Sequence, residues 1–378
     1  MKESIFTKIY SIVFVLFLGI LSTIVIFGMY RDSRHKEGDF IFYMEGVIEE
    51  YIPLKSVFRE VYGVTNLVIS PNHIENITKD GDGFLEPMVW ETYDLENAET
   101  EIAKLKESCD KAGSNFAYIA FPSKSDEENV SGYNGWDINT EETRAEFLDW
   151  LMVNNYYMFD VRKVFEADGY HVKDYFYKTD HHWTSEAGLY ASRALANYLR
   201  DEFGYDMDVD KLDAEKFSYE TYENLWLGET GRKVSKTWVG VLDDFTKITP
   251  NYETSFEMGF IESDGIVEEG DFSMFIDESG YDRSEDFYEY SAHYSYLGSE
   301  AKRIIRNKEN TRGPKILLIR DSQSAVVVPF LALTTSEVAV WNTRSDPDGL
   351  LDYIEGNDFD IVLLALGDYW SEDIWNFN

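Results

Sequence analysis

Residues 177–188 read YKTDHHWTSEAG. An aspartate, two adjacent histidines and a tryptophan stand in a row, just ahead of SEAGLYASRALANYLRDEF, a stretch with amphipathic helical spacing. Thr184 is placed to cap that helix, and Glu186 falls in its first turn, where the helix dipole favours an acid. The chain of 378 residues has only six histidines, so two in a row ask for a reason. Asp180 and His182 lie two apart on a loop entering a helix, a spacing that lets both side chains point into one cleft. A carboxylate there can hold an imidazole's tautomer, and the imidazole can then act as general base. Two other readings stay open on these residues alone. Asp180 and His182 can satisfy backbone donors at a helix start, and an Asp-His-His run carries metal-ligand types. Adjacent histidines rarely ligate one ion, and His35, His73, His171 and His293 show no matching spacing, so no metal is expected.

Working outward, the flanks have an α/β rhythm. LENAETEIAKLKESCDKAG has helical spacing and ends in a glycine stop, Gly113. FAYIAFP (116–122) reads as a buried strand closed by proline, TEETRAEFLDWLMVNN as a second helix, and YYMFDVRKVF contains a short strand. The rhythm returns with KILLIRDS (315–322), EVAVWNTR and FDIVLLALGD. Such continuous apolar runs predict a parallel sheet covered on both faces. Between them, residues 205–300 are turn-rich, aromatic and acidic. Residues 262–290 hold eleven acids and one base, Arg283, interleaved with Phe272, Phe275, Tyr281, Phe287, Tyr288 and Tyr290. Solvated hairpins with aromatic inner faces explain this pattern; a platform on which sugar rings stack is the alternative.

Ser322 stands where the KILLI strand runs out and a helix-like stretch begins. In open α/β sheets, sites form at the carboxyl ends of strands. A serine hydroxyl is a poor nucleophile until a general base takes its proton, and that base needs an orienting carboxylate. Ser322 after a strand is a weak signal alone, because many serines there are helix caps.

YKTDHHWTSEAG followed far downstream by LLIRDSQSAVVVPFLA resembles the DHHW family, which is similar to the SGNH hydrolase-like domains of the alginate O-acetylation proteins AlgJ and AlgX. YIPLKSVFREVYG, DGDGFL, IAFPSKSD and FDVRKVF resemble other parts of the family pattern, so the resemblance covers roughly residues 50–378. It implies a flavodoxin-like three-layer α/β/α domain with a parallel sheet and a permuted Ser-His-Asp triad. Asp180 would orient, His182 would be the base and Ser322 the nucleophile. Lys124, Trp183 and Arg344 become candidates for substrate contact. The implied reaction is transfer or hydrolysis of an O-acetyl group on an exported or cell-surface polysaccharide through an acyl-serine, with no cofactor. The implied partner is a membrane-bound O-acyltransferase of the MBOAT type. Three positions depart from the pattern: Arg320 replaces the usual glycine of Gly-Asp-Ser, Gln323 stands where an aromatic is common, and Asn342-Thr343-Arg344 stands for Asp-x-Arg. These departures keep a second reading open, a non-catalytic glycan-binding or scaffold module.

Composition bounds the rest. There are 71 acidic and 34 basic residues, a net charge of −37, which repels phosphate backbones and argues against nucleic acid. The single cysteine, Cys109, permits no intramolecular disulfide. Ile9–Tyr30 has 22 residues and no charge. At about 1.5 Å per residue it spans about 33 Å, enough for a bilayer core. No small-residue cleavage site follows, so an uncleaved signal anchor is expected. Lys2 and Lys8 on one side nearly balance Arg31, Arg34 and Lys36 on the other; the implied route of acetyl groups across the membrane tips the body to the extracytoplasmic side. The expected organisation is residues 1–30 as cytoplasmic tip and transmembrane anchor, 31–95 as juxtamembrane lead-in, and 96–378 as the SGNH-like domain, with the turn-rich β insertion at about 205–300.

Overall fold

The computed structural model describes residues 15, 16, 19, 22, 23, 55–87, 95–124, 140–261, 266–281, 287–288, 291–298, 302–367 and 375–377. Most of the expected anchor, 9–30, lies outside them. Among the described residues no helix is long and apolar enough to cross a membrane. The chain divides into two compact units, Met1–Thr65 and Asn66–Asn378. All that follows concerns the second.

Its strands, numbered in chain order, form three sheets. Strands β1 (His73–Ile74), β2 (Ile77–Lys79) and β3 (Leu85–Pro87) make a small antiparallel sheet. The central sheet has eight strands: β4 (Asn115–Ala120), β5 (Tyr157–Asp160), β8 (Phe256–Gly259), β9 (Ile266–Gly270), β10 (Lys302–Asn307), β11 (Lys315–Arg320), β12 (Glu337–Trp341) and β13 (Ile361–Leu366). Their order is β5-β4-β13-β11-β12-β10-β8-β9. The first five are mutually parallel, and β10, β8 and β9 continue antiparallel. Strands β6 (Phe217–Trp226) and β7 (Asp243–Pro250) pair separately.

The parallel strands are apolar on both faces because both faces are covered. Alternate residues divide between two cores. Ala117, Ile119, Ile316, Leu318, Val338, Val340, Leu363 and Ala365 join one core with Leu189, Leu195 and Leu199 of the Ser185–Phe203 helix. Phe116, Tyr118, Leu317, Ile319, Ala339, Val362 and Leu364 join the other, with residues of the Glu96–Ala112, Thr140–Val153 and Leu350–Glu355 helices. This is the expected three-layer α/β/α arrangement. The sheet differs from expectation in being mixed. The 205–300 segment supplies β8 and β9, and with β10 they extend the sheet beyond β12, each strand antiparallel to its neighbour. Its aromatic side chains are largely core: Phe272 and Phe275 are buried, and Phe272 stacks on Phe330.

The segment expected as a lead-in also belongs in part to the body. Ile74, Ile77 and Leu85 share a core with Leu227, Val234 and Trp238, and the Leu85 N–H donates to the Lys178 carbonyl. The KDGDGF turn is tight because Asp80 accepts from the N–H groups of Asp82 and Phe84, with Gly83 at a φ of 79°. Gly113 ends the Glu96–Ala112 helix in the left-handed conformation, as its position predicts. Cys109 is buried in that helix, and burial pushes its thiol up to about 12.

Candidate active site

In the parallel part of the sheet, the carboxyl ends of β4, β11, β12 and β13 lie along one edge. Lys124 follows β4, Ser322 follows β11, Arg344 follows β12 and Gly367 follows β13. Ser322 opens a 3-10 turn, Ser322–Val326, that runs directly into the Val327–Ala332 helix. Asp321 caps the turn: one carboxylate oxygen accepts from the Gln323 N–H at 2.9 Å, and the other accepts from the Gly367 N–H at 2.6 Å. One side chain thus ties the serine turn to the end of the neighbouring strand β13.

The DHHW loop is a closed excursion between the short Val172–Tyr175 helix and the Ser185–Phe203 helix. Phe176 and Trp183 form a β-bridge at its neck, the Tyr177 N–H donates to the His182 carbonyl, and the Thr184 N–H donates to the Tyr175 carbonyl. Thr184 caps the helix by accepting from the Ala187 N–H, as expected. Two buried charged residues hold the loop from below. Lys124 donates to the carbonyls of Tyr177, Lys178 and Asp180 at 2.6–2.9 Å. Asp243 accepts from the N–H groups of Lys178 and Thr179 and from the Thr179 hydroxyl at 2.6–2.8 Å. Burial pulls Lys124 down to about 7 and pushes Asp243 up to about 6.

Loop and serine turn are bolted together. The Trp183 indole N–H donates to the Gln323 carbonyl at 2.7 Å, and the Gln323 side-chain amide donates to the His181 carbonyl at 3.0 Å. Gly188 lets the two following helices approach: a Cβ there would lie 2.5 Å from Val326. Gly367 does the same for the Gln323 side chain, at 2.7 Å. The departure at position 323 is therefore built into the site.

These supports bring the three expected residues together. His182 Nδ1 lies 2.5 Å from an Asp180 oxygen, and His182 Nε2 lies 2.8 Å from the Ser322 hydroxyl. Asp180 also accepts from the His182 N–H at 2.9 Å and from the Glu229 N–H at 2.5 Å. Burial alone would raise the Asp180 carboxyl; the charge and hydrogen bond of His182 outweigh it and hold the group well below the usual carboxylate range. An ionised, immobile Asp180 facing Nδ1 sets the tautomer that leaves Nε2 free to take the serine proton. Asp180 and His182 are buried, while Ser322 is partly accessible, as an attacking hydroxyl must be. Asp180, His181 and His182 do offer ligand atoms within 4.8 Å of one another. A metal ion would have to displace hydrogen bonds already made on Asp180 and His182.

Lys124 and Trp183, expected at the substrate, are each 1% exposed, with their polar atoms used within the chain. They hold the site from behind, which corrects that expectation. Arg320 is also buried, beneath the serine turn, with its guanidinium donating to the Asp321 carbonyl. Arg344 is exposed on the turn after β12. Sequence reasoning missed four residues. Asp243 and Gly228 support the loop, Glu229 bonds Asp180, and His293 lies against His182. His293 stacks on His182 with ring centres 3.5 Å apart and planes within 10°. No spacing signal links position 293 to the motif; only the fold does.

Residues 74–244 match the family model of the SGNH hydrolase-like domain of acetyltransferase AlgX. That span holds Asp180 and His182; Ser322 lies beyond it and is joined to them by the fold. No curated protein sequence matches the chain. Among solved structures, Bacillus cereus PatB1 with a sulfonyl adduct superposes with a TM-score of 0.63 at 17% identity, over 80% of this chain and 99% of that one. A DHHW family protein from Eubacterium siraeum gives 0.60 at 19% identity, over 81% of this chain and 97% of that one. Residues 74–244 are therefore similar to the SGNH hydrolase-like domain of acetyltransferase AlgX, and the chain shares its fold with PatB1 and the DHHW family protein.

Proposed function

We propose that this protein transfers acetyl groups to, or removes them from, a polysaccharide through an acyl-serine on Ser322. The observation that carries the reading is the 2.8 Å separation of His182 Nε2 and the Ser322 hydroxyl, with Asp180 on the other ring nitrogen. A separation of about 7 Å would have excluded proton transfer between them. His182 takes the proton as Ser322 Oγ attacks the acetyl carbonyl. Asp180 stabilises the imidazolium, and the imidazolium returns the proton to the departing alkoxide. The acetyl-serine is then attacked by a sugar hydroxyl or by water, with His182 again accepting the proton, and Ser322 is released. The Ser322 N–H, at the first position of its turn, makes no bond within the turn and is placed to donate to the oxyanion.

The match to an acetyltransferase domain model supports the acyl chemistry, and the surrounding of Ser322 by structural bonds supports a rigid, preorganised site. The further parts of the reading are an anchor at Ile9–Tyr30, an extracytoplasmic body, a cell-surface or exported glycan as acceptor, and an MBOAT-type partner supplying acetyl groups. They rest on the uncharged apolar run and the family resemblance. The test is turnover of a small chromogenic acetyl ester by wild type and Ser322→Ala, with mass spectrometry of Ser322. Serine-dependent release and an acetylated Ser322 are expected; equal turnover by the variant would refute the role.

A further inference from the structure

We propose that His293 is a positioning residue of this site: a neutral imidazole plate that fixes the ring plane of His182 and the main chain of Ser322 together. The proposal rests on the acyl-serine reading and adds to it a residue outside the Asp180–His182–Ser322 set.

His293 makes two contacts that each bear on a reacting group. Its ring lies parallel to that of His182, with centres 3.5 Å apart. Its Nε2 is 2.8 Å from the carbonyl oxygen of Ser322. A carbonyl only accepts, so Nε2 carries the hydrogen and Nδ1 is the lone-pair nitrogen. One imidazole therefore holds the base by its face and the nucleophile by its backbone. The residue comes from the 3-10 turn Ala292–Ser295, in the insertion rather than in either motif. That turn is itself fixed, since Leu297 N–H donates to the Phe275 carbonyl and the Tyr296 hydroxyl meets the Ile248 backbone.

The plate has to be neutral. A charged ring at 3.5 Å would oppose formation of the His182 imidazolium, whereas a neutral π face stabilises a cation lying on it. Burial, then the proximity of His182, holds His293 well below the usual histidine range. The groups facing these two rings complete the electrostatic setting. Asp180 and Ser322 bond the two nitrogens of His182, and His181 lies with its ring centre 3.9 Å from that of His182. Tyr294 presents an edge to both His182 and His293. Asp180 favours the charged form of His293, and His181 and His182 disfavour it.

The two contacts separate by substitution. His293→Phe keeps a plate and loses the donor; His293→Gln keeps a donor and loses the plate; His293→Ala loses both. The readout is sulfonylation of Ser322 by phenylmethanesulfonyl fluoride, followed by mass spectrometry across pH. The serine oxygen bonds to sulfur, the S–F bond breaks, fluoride leaves, and the serine proton passes to His182 and on to solvent. Donor loss in Phe and Ala should slow labelling by about tenfold or more, as misplaced reacting atoms do. Plate loss in Gln and Ala should remove the π face that stabilises the imidazolium and lower the pH midpoint for labelling by about half a unit or more. Phe should leave that midpoint in place. Wild-type rates and midpoints in all three variants would overturn the proposal. So would parallel rate losses with an unmoved midpoint, which a merely structural residue would give. A wild-type Ser322 that never labels would overturn the acyl-serine reading, and this one with it.

Discussion

The charge and proton traffic of the site converge on one imidazole, so single residues separate in their expected effects. His182→Ala should lower kcat/KM for an acetyl ester by about 10⁴-fold, and adding Ser322→Ala should lower it little further, because triad members act as a unit. His181→Ala should cost no more than about tenfold, since its ring makes no bond to Ser322 and its carbonyl, not its side chain, receives Gln323. A larger loss at His181 than at His182 would show that the base is the other histidine. Gly228 offers a second test at this scale. A Cβ there would lie 2.4 Å from the Asp180 Cβ and 2.5 Å from its backbone nitrogen. The loop has nowhere to move, with Thr179 and Asp180 both bonded to the chain at 228–229. Gly228→Ala should cost about 1–3 kcal/mol of stability by overpacking. By tilting Asp180 it should also lower kcat by about a hundredfold; thermal melts and ester kinetics on the same preparation check both. Asp180 and His182 were legible in sequence because the chemistry sits within three consecutive residues, and Ser322 because a continuous apolar strand announces its own carboxyl end. His293, Asp243 and Gly228 were not, because contact between residues so distant in the chain leaves no local pattern.

At the scale of elements, the DHHW loop is held open-faced by a buried acid and a buried base, and this arrangement has a pH signature. Asp243 is raised to about 6 from 3.8, so the folded state binds the extra proton between those values and stability falls as pH rises through them. Lys124 is lowered to about 7 from 10.5, so the unfolded state binds the extra proton between those values and stability rises as pH rises through them. The contribution of the pair is therefore least near pH 6–7. The Asp243 arm, about two units, corresponds to about 3 kcal/mol. Urea unfolding at pH 4.5, 6.5 and 9.5 should show wild type gaining on the Lys124→Met/Asp243→Asn double variant on either side of pH 6.5; a constant difference would sink the argument. The elements themselves divide by how their signals arise. Strands β4, β11, β12 and β13 were legible because burial on both faces leaves no polar residue to interrupt them. The antiparallel extension was not: β8 has four residues, and β9 reads IVEEG, a strand only once β8 lies beside it. The aromatic residues of that region looked available for sugar stacking. In the fold, Phe272, Phe275 and Tyr296 are buried around Phe330, packing the insertion onto the helix after Ser322. The insertion is thus the element that delivers His293 to the base.

For the molecule as a whole, the net charge of −37 is a constraint on what can approach the site. The ion pairs among the described residues lie largely at the surface, where water and salt screen them. They do not neutralise the field, and an anionic glycan must work against it to reach Ser322. The sheet edge offers Arg344 as an exposed cation, while Lys124 and Arg320 are enclosed beneath the loop and the serine turn. On the acyl-serine reading proposed above, a neutral polysaccharide is therefore favoured over a polyanionic one as the acceptor. The dependence on salt tests this directly, because the Debye length falls from about 30 Å at 0.01 M to about 10 Å at 0.1 M. Added salt should strengthen binding of a polyanionic glycan to the Ser322→Ala protein. It should leave binding of a neutral glycan, and wild-type turnover of an uncharged acetyl ester, within about twofold. Weaker binding of the polyanion as salt rises would mean that a local cationic track, with Arg344 its first candidate, overrides the field of the whole, and the acceptor would then be sought among acidic polysaccharides.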